Sequence, residues 1–142
     1  MRSSIRALPI LSIFIASAAH AGFLSNYASW EKQDRYGQYM YVQGLFDAQD
    51  SNGAVGEESW VTARRQGLST CFIEQSLTAP LLADAVTKHY QANVGDWVLP
   101  PSVVFQEVAG RVCLSYINTE RAKANLAAWG QRDGAILTKS KQ

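Results

Sequence analysis

Residues 77–90 read Leu-Thr-Ala-Pro-Leu-Leu-Ala-Asp-Ala-Val-Thr-Lys-His-Tyr. Thr78 supplies a hydroxyl cap, and Pro80 falls in the first turn, where its missing N–H removes no helical bond. From there Leu77, Leu81, Leu82, Ala85, Val86 and Tyr90 recur at helical spacing as one apolar stripe. The pattern predicts an amphipathic helix that stops near Asn93, because Val94-Gly95-Asp96 and Leu99-Pro100-Pro101 interrupt it.

Working outward, a helix entered through Pro101 and Ser102 is expected to face inward with Val104, Phe105, Val108, Val112 and Ile117, and to carry Cys113. Thr119 is read as the cap of a last, alanine-rich helix running to Trp129, followed by a loose polar tail. Upstream, Ala28 to Asp50 has no proline and repeats apolar residues at helical distances, so one long first helix is expected. Gly37 and Gly44 weaken it, and Gly44 is read as a point of close packing. Asp50 to Gly56 is a cluster of turn formers. Ser59 to Leu68 reads as a shorter helix, broken by Gly67 ahead of a strand or loop holding Cys71. Period-2 alternation is scarce, which makes the chain an all-α bundle of about four to five helices.

The N-terminus reads separately. Arg2 and Arg6 precede the uncharged run Ala7 to Ala16, and Ser17-Ala-Ala-His-Ala21 ends in small residues at Ala19 and Ala21. The apolar run is shorter than the ~20 residues a membrane span needs, so residues 1–21 read as a cleavable secretory signal, the alternative being an uncleaved anchor or a buried helix. Residues 22–142 are then a single domain, with no membrane segment left after cleavage. Loss of the leader removes two arginines and no acid, taking thirteen basic against twelve acidic residues to eleven against twelve. With no basic cluster beyond the Arg64-Arg65 dipeptide and the Lys139/Lys141 tail, no nucleic-acid partner is expected.

Export also gives the two cysteines a use. In an oxidising compartment such as the periplasm Cys71 and Cys113 can close a disulfide, the alternative being two free buried thiols. Closing so long a loop stabilises a small domain by about 4 kcal/mol in the chain-entropy model.

Signals for catalysis are weak. One histidine, His89, remains after the leader, too few for a multi-histidine metal site, and it reads as a packed residue. No phosphate-binding or nucleophile-elbow motif occurs, so no catalytic residue, cofactor or metal is expected. A hydrolase built on His89 with a carboxylate such as Asp84 is the weakest of the readings.

A resemblance adds to these readings. Tyr41-Val-Gln-Gly-Leu-Phe-Asp-Ala48, then Cys71, then Leu81-Leu-Ala-Asp-Ala-Val-Thr-Lys-His-Tyr90, Pro100-Pro101 and an amphipathic run ending at Cys113 resemble the type VI secretion amidase-immunity (Rap/Tai) family over most of residues 36–113. The chain departs from that pattern in having no further cysteine between Ser29 and Gln38. The resemblance implies a small periplasmic helical protein, often a homodimer, that binds a secreted peptidoglycan amidase effector and blocks its cleft. The partner-binding residues are then expected on the 91–101 loop, at Gln91, Asn93, Asp96 and Trp97, with Glu57 marking an alternative surface. Trp97 would act as an anchor ring and Asp96 as a presented carboxylate, the competing reading being that Trp97, Val98 and Leu99 cover the core. A periplasmic stress chaperone of similar design is the alternative function.

Overall fold

The computed structural model describes residues 23–50 and 56–137; the leader, most of the Asp50–Gly56 turn cluster and the Lys139/Lys141 tail lie outside them. The described chain is all-helical, without strands: α1 (Tyr27–Glu31), α2 (Arg35–Asp50), α3 (Ser59–Glu74), α4 (Ala79–Ala92), a 3-10 turn (Val94–Val98), α5 (Pro101–Val112) and α6 (Leu114–Lys123). The α3 helix lies along α6, and α4 packs between α2 and α5. No helix among the described residues is long and apolar enough to cross a membrane.

The α4 helix starts and stops where its residues dictate. The Thr78 side chain accepts from the Leu81 amide, Pro80 occupies the first turn, and Asn93 ends the helix. Leu82, Ala83, Val86, His89 and Tyr90 are its buried face, while Leu81 of the expected stripe points outward at 56 % exposure. Pro101 opens α5 as expected, with Val104, Phe105, Val108 and Ala109 inward.

Several expectations are corrected by the structure. The first helix is cut at 32–34: Asp34 accepts the Gly37 amide at 2.7 Å and starts α2 afresh. The cut lets α1 turn Trp30 fully inward, where its indole N–H donates to the Thr87 hydroxyl at 3.0 Å and its carbonyl accepts from the Gln38 side chain. Gly67 does not break α3, which runs on to Glu74. A Cβ there would sit 2.5 Å from the Ile117 Cα, so Gly67 is where α3 and α6 touch backbone to backbone. Gly44, by contrast, has nothing within 4 Å of where its Cβ would stand and permits no close packing.

Cys71 therefore lies on a helix rather than on a strand or loop, one turn beyond Gly67, and is bonded to Cys113 with a Cα–Cα distance of 5.6 Å. Cys113 is the hinge between α5 and α6, so the expected single run to Ile117 is bent there. Val112 is left half exposed and Ile117 fully buried on α6.

The α6 helix ends at Lys123, and Thr119 lies inside it, its hydroxyl donating back to the Ser115 carbonyl at 3.0 Å. Asn125 at φ 56° takes the left-handed conformation that closes helices, and the Leu126 amide returns to the Arg121 carbonyl at 2.8 Å. Residues 125–137 then run as an irregular strap. Asn118 clamps both the amide and the carbonyl of Trp129 (2.7 and 3.0 Å), and Arg121 lies over the Trp129 ring at 4.5 Å. Arg111 donates to the Gly134 carbonyl at 2.7 Å, so the described part of the tail is tied down rather than loose.

Candidate functional site

Between α4 and α5 the chain must reverse direction within a few residues, and it does so in a turn braced at every step. The Asn93 side chain donates to the His89 carbonyl at 2.8 Å, the Asp96 amide to the Asn93 carbonyl at 2.9 Å and the Leu99 amide to the Asp96 carbonyl at 2.9 Å. Side chains from the helices hold the turn as well. The Trp97 indole donates to the Tyr90 carbonyl at 2.9 Å and the Tyr90 hydroxyl to the Leu99 carbonyl at 2.7 Å. Tyr27 of α1 stacks at a tilt against both rings, 5.0 Å from Tyr90 and 5.1 Å from Trp97. Burial, with Tyr41 and Asp96 nearby, pushes the Tyr90 hydroxyl well above its usual pKa, so it stays a neutral donor.

This frame decides the fate of each expected partner residue. Gln91 is exposed at the end of α4, and Asn93 is half-buried as the cap just described. Trp97 is 43 % exposed, its ring packed at a tilt on Tyr27 and its indole N–H held by the Tyr90 carbonyl, so it is part core cover and part open surface. Asp96 is a correction: at 0 % exposure it presents no carboxylate to a partner. Its Oδ2 accepts His89 Nε2 at 2.7 Å and the Ile136 amide at 2.7 Å, and its Oδ1 accepts the Leu137 amide at 3.1 Å. Because an ionised carboxylate only accepts, the shared proton belongs on His89 Nε2. Burial pushes the Asp96 carboxyl up, but the Ile136 and Leu137 amides, with His89, outweigh it and hold the group below its usual value.

Glu57 lies apart from this turn, ahead of α3. Its carboxylate accepts from the Thr62 hydroxyl at 2.7 Å and from Arg65 at 3.1 Å, and these two bonds hold its pKa below the usual value. His89 is buried against Asp96, and Asp84, the carboxylate considered as its partner, instead pairs with Arg35 at 2.8 Å.

What sequence reading missed is the apolar tip. Val94 and Val98, at 63 % and 71 % exposure, stand out on either side of Trp97. Their spacing on a short segment between two turn signals was visible, but only the burial of Asp96 beneath them shows which way the turn faces. The arrangement offers two aliphatic side chains and half an indole on rigid backbone, a surface suited to gripping an apolar pocket rather than to proton transfer. Comparison with protein-family models, curated proteins and solved structures finds no match to this chain.

Proposed function

We propose that this chain is an exported inhibitor, an immunity protein that binds a peptidoglycan amidase effector and occludes its cleft with the Val94–Val98 turn. The observation that carries the reading is the turn itself: Val94, Trp97 and Val98 exposed on backbone held by Tyr27, Tyr90 and the buried Asp96. A tip ordered before binding loses little conformational freedom on docking, so the apolar area it buries goes largely into affinity. The likeness to amidase-immunity proteins over residues 36–113 supplies the target class, and the Cys71–Cys113 disulfide suits an oxidising compartment such as the periplasm.

The test is a pull-down from periplasmic extract with the oxidised chain, followed by a peptidoglycan amidase assay on what is retained. The expected result is stoichiometric capture and silencing of an amidase. Val98→Asp should weaken it roughly 30- to 100-fold, since it removes one buried aliphatic contact and forces a carboxylate against an apolar wall. Silencing that survives Val98→Asp and Trp97→Ala together would move the interface elsewhere. Capture of diverse unfolded clients, chiefly at low pH, would replace inhibition with a chaperone role.

A further inference from the structure

On a different face, α5, the start of α6 and the strap enclose a groove of about 260 Å³. Its walls are apolar where Val103, Leu114, Trp129 and Ile136 line it, and Gly110 lines it from α5. A glycine inside a helix weakens it by up to about 1 kcal/mol relative to alanine. At Gly110 a Cβ would meet nothing within 4 Å, so packing does not demand the glycine; its missing side chain is what leaves the groove open.

Charge gives the groove a sign. Arg64, Arg111 and Arg132 face it against the single carboxylate of Glu107. Glu107 is engaged with the other two arginines, Oε1 with Arg111 at 3.0 Å and Oε2 with Arg132 at 3.9 Å. Arg64 also feels the charge of Glu107. It is held in place by neutral groups, donating to the Gln49 side-chain oxygen at 3.1 Å and to the carbonyl and side-chain oxygens of Gln106. Burial pulls its guanidinium below the ordinary arginine value, with Glu107 only partly offsetting that. Three arginines against one carboxylate beside an apolar slot favour an incoming anion, and Arg64 is the positioned, half-buried cation among them.

We propose that this groove is a binding site for a small organic anion, a carboxylate on a compact apolar body, with the head group paired to Arg64 and the body lying between Trp129 and Leu114 above Gly110. At about 30 Å³ per liquid water the space matches eight or nine waters, on the order of a dozen non-hydrogen atoms, the size of a compact aromatic acid.

The test uses naphthoate as probe on the oxidised chain, with calorimetry for affinity and amide and indole NMR shifts for location. Saturable binding is expected, with the largest shifts at Gly110 and the Trp129 indole. Neutral naphthalenemethanol should bind at least ~10-fold more weakly, because it cannot pair with Arg64. Arg64→Gln should weaken naphthoate by a similar factor. Since Arg64 also braces Gln49 and Gln106, the decisive variant is Gly110→Leu, whose side chain fills the groove and should abolish binding while the melting temperature holds or rises. Equal binding of the alcohol, binding of sulfate alone as tightly as naphthoate, naphthoate binding that survives Gly110→Leu, or no saturable binding would each overturn the proposal.

Discussion

Replacing Asp96 with asparagine keeps the side chain's shape and removes the charge on which three donors converge. An amide offers one oxygen and one NH2 group, so either Leu137 or Ile136 must point its backbone N–H at another donor. A buried donor left without a partner costs about 1–3 kcal/mol, and each surviving bond weakens by about 1 kcal/mol when its acceptor becomes neutral. The sum is about 3 kcal/mol, which for a domain of this size lowers the melting temperature by about 12 °C. Thermal unfolding at pH 7 measures the drop, and hydrogen exchange should show the Ile136 and Leu137 amides losing protection before the helices do. The pH dependence has a definite sign. The folded carboxyl lies below its usual value, so the unfolded chain takes up the proton first. The Asp96 contribution is therefore complete above about pH 4 and is lost as the pH falls through the folded value, so wild-type and Asp96→Asn stabilities should converge on acidification. A melting temperature within about 2 °C of wild type at pH 7, with both amides still protected, would refute the view that this carboxylate holds the strap.

Reducing the Cys71–Cys113 bond, which closes a loop of sequence separation 42, should destabilise the chain by about 4 kcal/mol; denaturant titrations with and without a thiol reductant measure it. Gly67→Ala should cost at least ~3 kcal/mol, because its Cβ meets Ile117 backbone at 2.5 Å and neither helix can yield without the other moving. Gly44→Ala, with open space above it, should instead stabilise by up to ~1 kcal/mol. Chemical unfolding of the two glycine variants side by side tests both signs.

Local signals carried much of the fold. Thr78 and Pro80, Asn93, and Pro101 each act through their own backbone chemistry, and the helix ends fall where those residues stand. Where the outcome depended on a distant partner, local reading failed. The cut after Glu31 exists because Trp30 must reach Thr87, and Asp34, the residue that restarts the helix, looks like any surface acid in the sequence. Gly67 resembles a breaker until α6 is seen lying against it. That residues 91–101 link two helices was legible, but the direction Asp96 faces was not: a carboxylate between Gly95 and Trp97 suggests a displayed charge, and the returning amides of Ile136 and Leu137, with His89, hold it inward. No feature of residues 91–101 alone announces those amides.

The strap's anchorage also bears on when the molecule can finish folding. Asp96 and its two backbone partners are some forty residues apart, and those partners are made only after α5 and α6 have been made. Until they arrive, a chain that has already assembled α1 to α5 would have to bury a carboxylate held by His89 alone, an incompletely solvated charge. The interior around Asp96 is thereby completed only once residues 136 and 137 have been made and docked. A product cut short before Ile136 is penalised in its interior rather than merely missing its tail.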